Sequence, residues 1–127
     1  MTENSIATLV VDAAFKIHKT LGPGLLESVY QATLNYELHQ RGLSVRQQVG
    51  LPVCYEGLKL EIGYRVDLIV GEKVIVEIKS VEAVALVHRS QLLTYLRLAN
   101  LRLGLLVNFN VVRIRDGIHR VVNGLGR

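Results

Sequence analysis

Asp67 and the segment Glu77-Ile78-Lys79 are the residues of this chain best suited, by type and spacing, to do chemistry. Two carboxylates on one face of a sheet repel each other unless a proton or a cation lies between them. A divalent ion held there can activate water and neutralise a phosphate, and carboxylate oxygens favour a hard ion, Mg²⁺ or Mn²⁺, over zinc. Whether the two carboxylates meet depends on how their strands pair across Gly71-Glu72-Lys73. Side chains keep to their own faces, so even positions must join even and odd must join odd. A three-residue loop opposes Val70 to Val74, Ile69 to Ile75 and Leu68 to Val76, which sets Asp67 across from Glu77 with Cβ atoms about 5 Å apart. A five-residue loop instead sets Asp67 against Lys79 in an ordinary ion pair, and a solvated acidic face is a further reading that needs no metal. Lys79, two residues after Glu77, shares its face. An ammonium there could hold an attacking water or offset charge developing on phosphorus, or it could simply end the strand in solvent.

These groups need a sheet and something packed on it. Ile6, Leu9, Val10, Ala13, Ile17 and Leu21 recur at helical spacing over residues 5 to 21, and Gly22-Pro23-Gly24 ends that helix. A second helical pattern runs from Leu25 to about Arg41, with Gly42 as its C-terminal cap and Gly24 as its N-cap, which makes Glu27 the third helical residue. From residue 45 the period is two. Val45, Val49, Leu51, Val53 and Tyr55 fall on one side, and after Glu56-Gly57 every even position from Leu58 to Val70 is apolar or aromatic. A two-residue turn pairs Tyr55 with Leu58, Val53 with Leu60 and Leu51 with Ile62, giving a hairpin with one continuously apolar face. Lys73 to Lys79 is apolar on both faces until its end, the mark of a central strand. Helical spacing returns from Leu86 to Asn100, Leu103 to Val107 forms another interior strand, and Val111 to Val122, with Asp116-Gly117 in its middle, suggests a terminal hairpin. The order ααβββαβ, then ββ, predicts an α/β (α+β) fold, a mixed sheet with helices packed on it.

The chain has 127 residues, half of them hydrophobic, 20% charged, with two prolines. This predicts one domain over residues 1–127 and excludes collagen-like sequence and wholesale disorder. The lone Cys54 excludes an internal disulfide, and the four histidines show no zinc spacing. With no apolar run of about 18 residues and no basic stretch at the start, neither a membrane span nor export is expected, and the cytoplasm is the default location. Charge is segregated. Residues 1 to 85 hold eight Lys/Arg against ten Asp/Glu, whereas residues 86 to 127 hold seven arginines (Arg89, Arg97, Arg102, Arg113, Arg115, Arg120 and Arg127) against Asp116 alone. Arginine forks suit phosphate oxygens, so this third of the chain fits a polyanionic partner as well as it fits an ordinary solvated surface.

Asp67 with Glu77-Ile78-Lys79 at the end of an interior strand resembles the PD-(D/E)XK nuclease signature, and Gly24-Leu25-Leu26-Glu27-Ser28-Val29-Tyr30 resembles the motif that names the GxxExxY protein family, which is grouped with those nucleases. VDLIVGEKVIVEIKSVEA, the QLLTYL stretch at Gln91 and LGLLVNF extend the likeness from about Ile6 to Phe109. One departure is Val66, where the superfamily name has proline; that position supplies no ligand. The resemblance implies a restriction-endonuclease-like core acting as a metal-dependent nuclease on DNA or RNA. It also implies Asp67, Glu77 and the Ile78 carbonyl as metal ligands and Lys79 as the catalytic lysine. Glu27 would be an acidic residue reaching the metal directly or through water, and Gln91 a polar group orienting water or phosphate. Read without the resemblance, Glu27 is a helix-capping carboxylate and Gln91 a boundary residue. Tyr30, one turn after Glu27, is placed to pack or position it. A non-catalytic nucleic-acid-binding or assembly module on the same fold stays open, and a domain this small would draw specificity from a partner or a homodimer.

Overall fold

The computed structural model describes residues 1–125, with Ile62 described by its backbone alone; Arg127 of the basic segment lies outside these residues. Helix α1 (Glu3–Leu21) starts where the Thr2 hydroxyl accepts the Ser5 N–H at 3.1 Å and stops at Gly22. Helix α2 (Glu27–Gln40) follows, and Gly42, in a left-handed conformation at φ +79°, lets Leu43 N reach back to Leu38 O. Strands β1 (Val45–Tyr55), β2 (Leu58–Val70) and β3 (Val74–Lys79) come next, then helix α3 (Leu86–Ala99), strand β4 (Leu103–Asn108), a 3₁₀ turn (Ile114–Gly117) and strand β5 (Ile118–Val122).

The five strands form one mixed sheet in the order β1-β2-β3-β4-β5. All neighbours are antiparallel except β3 and β4, which run parallel because α3 carries the chain back across one face between them. β3 is central, and its first five residues are buried, as their two-sided apolarity predicts. α1 and α2 cover one face, where Ile6, Val10, Leu34 and Leu38 pack on Leu68, Val74, Val76 and Ile78. α3 covers the other with Leu92, Tyr95 and Leu96 against Ile69, Ile75 and Leu106. It lies so close to β4 that a Cβ on Gly104 would meet Leu92 at 2.9 Å, so the helix seat requires glycine there. The mixed α/β architecture is that of a restriction-endonuclease-like fold.

Three details depart from the sequence reading. α2 begins at Glu27 with Leu26 as its N-cap, so Glu27 is the first helical residue rather than the third; Gly24, at φ +98°, belongs to the preceding loop. In the first hairpin Tyr55 opposes Leu58 and Val53 opposes Leu60, but Leu51 opposes Tyr64 and not Ile62, because β2 holds two extra residues in a bulge. Its apolar side is not continuous either: Leu68 and Val70 pack with α1 and α2, whereas Val66 packs with α3, and β1 changes over in the same way between Val45 and Val49. Finally, no hairpin spans Val111 to Val122. Ile114–Gly117 is a 3₁₀ turn, and Ile118–Val122 pairs directly with β4.

Candidate metal centre at the end of the central strand

The β2–β3 register is Leu68 to Val76, Ile69 to Ile75 and Val70 to Val74, the three-residue-loop arrangement, so the ion-pair register with Lys79 is not adopted. Beyond Leu68 the backbone ladder gives way to side chains. Asp67 N donates to Glu77 Oε2 at 2.9 Å, and Ile78 N donates to Asp67 Oδ2 at 2.8 Å. Each carboxylate is thus held by the backbone of the opposite strand, which sets the two side chains against each other. Glu77 is only 8% exposed. Burial, reinforced by the Asp67 charge, pushes its carboxyl up to about 8; the Asp67 N–H and the Lys79 ammonium pull it back only in part. The Tyr95 hydroxyl of α3 is pushed up as well, by burial first and then by the Glu77 charge, so it stays protonated beside the pair.

Lys79 ends β3 opposite Asn108 and is half-buried. Among the described residues it forms no ion pair, so its charge is available to the site. The Ile78 side chain is buried on the α1/α2 face while its amide serves Asp67. Gln91 is exposed on α3, one turn before Tyr95. His88, on the same stripe, turns away: its Nδ1 accepts the Ala85 N–H at 3.1 Å and caps the helix.

Glu27 is placed by the residues around it in LGPGLLESVY. Tyr30 is fully buried and stacks on Phe109 at 4.3 Å between ring centroids. Its hydroxyl donates to Gly22 O at 2.6 Å and accepts the Leu25 N–H at 3.2 Å, closing the loop between the helices onto α2. That loop delivers Glu27 to the end of β3, where Glu27 Oε2 accepts the Ser80 N–H at 3.1 Å and Ser80 Oγ donates to Leu25 O. Asn108, 2% exposed, clips the other side of this turn, donating to Val81 O and accepting from Val81 N. Glu27 therefore stands next to the end of β3, but Asp67, Glu77 and Glu27 do not draw together: among the described residues no three acidic, histidine or cysteine side chains form a cluster.

Sequence reasoning missed several of these groups. Asn108 carried a signal, a polar side chain closing an otherwise apolar strand; Ser80 and Gln48 carried none. Gln48 Nε2 donates to Asp67 Oδ1 at 3.1 Å and to Gln31 Oε1 of α2 at 2.7 Å.

A family model described as the PD-(D/E)XK nuclease superfamily matches residues 4–121. The chain belongs to this superfamily. A solved structure described as "Crystal structure of SSO0001" is similar to it, with 22% identity over 98% of this chain and a TM-score of 0.58, a likeness of fold. The chain spans 60% of that protein's length. No curated protein matches.

Nucleases of the PD-(D/E)XK superfamily generally use divalent metals, and the donor set fits one. Asp67 and Glu77 offer only hard oxygens, half-buried and buried respectively and adjacent, in a pair whose mutual repulsion a cation would relieve. Mg²⁺ is commonly held by one or two carboxylates with water and phosphate completing its shell, so a third carboxylate is not required. Of the arginines from Arg89 to Arg120, none forms an ion pair among the described residues; Arg89 contacts His119 and Arg120 contacts Asn4. No helix among the described residues is long and apolar enough to cross a membrane.

Proposed function

We infer that this chain is a Mg²⁺- or Mn²⁺-dependent nuclease of the GxxExxY type, one domain acting in the cytoplasm on phosphodiester bonds of DNA or RNA, alone or as a homodimer. The reading rests on the Asp67–Glu77 pair, two carboxylates locked together by each other's strands at the end of β3. Asp67 and Glu77 would hold the ion, with the Ile78 carbonyl as a third donor, and Glu77 would give up its proton to do so. A bound ion would supply the charge that acidifies water and neutralises the attacked phosphate. Lys79, which forms no ion pair among the described residues, would hold the attacking water or offset the charge that grows on the phosphate oxygens. Gln91 orients water or phosphate from α3. Glu27, bonded to Ser80 N, fixes the turn that follows Lys79 and would act on the ion directly or through water. The unpaired arginines gather the nucleic-acid backbone. Purified protein with Mn²⁺ is expected to cleave end-labelled DNA or RNA, with activity lost in Glu77→Ala and in Lys79→Ala while both remain folded. Undiminished cleavage by the double variant would assign the activity to a contaminant. Binding that ignores both Mn²⁺ and Glu77→Ala would instead indicate a non-catalytic nucleic-acid-binding module.

A further inference from the structure

Among the described residues, four other than glycine have positive φ: Gln48, Glu56, Glu72 and Asn100. Glu56 and Glu72 sit in hairpin turns and Asn100 ends α3, where such conformations are expected. Gln48 alone lies inside a strand, at φ +49°, in the middle of β1. A glutamine gains nothing locally from the left-handed region, so something around it must hold it there. The pairing around it shows what. Gln47 opposes Leu68 and Val49 opposes Val66, which leaves Gln48 facing Asp67 at the point where both strands turn their apolar side over. Its amide uses both N–H groups, one on Asp67 Oδ1 and one on Gln31 Oε1, while Gln31 Nε2 donates to Gln47 Oε1.

We propose that Gln48 is a positioning residue for the metal centre: its twisted backbone aims an amide at Asp67, and Gln31 braces that amide from α2, the helix that also carries Glu27. Asp67 is then held from two sides, Oδ2 by Ile78 N and Oδ1 by Gln48, which fixes the plane of its carboxylate and the direction in which its lone pairs face Glu77. Groups that orient a metal ligand in this way commonly change affinity by about 10–100-fold when removed. The proposal rests on the metal-dependent reading of the Asp67–Glu77 pair.

Gln48→Gly separates positioning from folding, because glycine accepts the left-handed backbone without strain while losing the amide. Two measurements follow on the wild type, Gln48→Gly and Gln31→Leu. In chelator-treated protein, the Ile78 amide, which depends on Asp67 staying in place, is expected to exchange with solvent several-fold faster in Gln48→Gly, with the Ile75 and Val76 amides unchanged and the melting temperature equal to or above that of the wild type. Mn²⁺ titrated calorimetrically is expected to bind Gln48→Gly about 10-fold more weakly, and Gln31→Leu by a smaller factor, since Gln48 still reaches Asp67 there. Unchanged Ile78 exchange, or acceleration spread evenly over β2 and β3, would overturn the role of Gln48. If the wild type itself bound no Mn²⁺, the metal reading would fall, and Ile78 exchange would still decide whether Gln48 holds Asp67.

Discussion

Glu77→Gln should make the metal-free protein more stable while destroying the site, and by an amount that depends on pH. In the folded chain the Glu77 carboxyl titrates at about 8, against 4.5 for an unperturbed glutamate. Its proton is bound more tightly in the fold than in the unfolded chain, so its contribution is complete below about pH 4.5 and is lost as pH rises through about 8. Between those limits the folded state loses about 1.4 kcal/mol per pH unit, with the slope falling off near pH 8, or about 2–3 kcal/mol from pH 5.5 to 7.5. A glutamine at 77 can still accept the Asp67 N–H through its carbonyl and carries no charge at any pH, so the variant is spared this loss. His119, whose imidazole is held below its ordinary range by burial and by Arg89, contributes with the opposite sign, but it is common to both proteins and cancels in the comparison. Urea denaturation in chelator-containing buffer at pH 5.5 and 7.5 should show the gap in unfolding free energy between Glu77→Gln and wild type widening by about 2–3 kcal/mol in favour of the variant. Curves that stay parallel across this range would refute the claim that the fold forces a costly charge onto Glu77.

Tyr30→Phe keeps the stack on Phe109 but leaves Gly22 O and Leu25 N without their partner; a loss of about 1–3 kcal/mol in urea unfolding is expected, with weaker cleavage because Glu27 loses its anchored approach, and unchanged stability would show that the hydroxyl is dispensable. Gly117→Ala would place a Cβ 2.1 Å from Asn108 O, so destabilisation of about 1–3 kcal/mol by thermal melting is expected, and a neutral effect would mean that the 3₁₀ turn can shift away from β4. Arg113 and Arg115 are exposed beside that turn without acidic partners; replacing both by glutamine should lower the slope of log affinity against log salt for a DNA duplex by up to about 1.8, and an unaltered slope would place the nucleic-acid path elsewhere.

The heart of the site was readable in part: parity leaves few registers between β2 and β3, one setting Asp67 across from Glu77 and one setting it against Lys79, and loop length, which hydropathy does not encode, decides for the first. The central place of β3 and the crossover of α3 followed equally from apolarity on both faces and from a helical stretch between two interior strands. What stayed hidden leaves no trace in hydropathy. The bulge between Leu60 and Tyr64 adds two residues, an even number, so the alternation reads the same on either side of it. The left-handed twist at Gln48 belongs to a residue type that does not announce it, and the change of apolar side at Asp67 follows from it in three dimensions only. Asp116-Gly117 has hairpin-turn chemistry, but Gly117 is there because Asn108 O leaves no room for a side chain, and the chain turns in a 3₁₀ coil before joining β4. Glu27 was placed near the right strand end for a reason that spacing could not supply, the closure of the Gly22–Leu26 loop by Tyr30.

The central claim is that a cation takes the place of a proton between Asp67 and Glu77. Titrating Mn²⁺ into the protein at pH 7 in buffers of different ionisation enthalpy measures both binding and the protons released. With Glu77 titrating at about 8, most of one proton should leave per ion bound to the wild type, and Glu77→Gln should release none. Binding without proton release, or no binding with an oligonucleotide present, would contradict it.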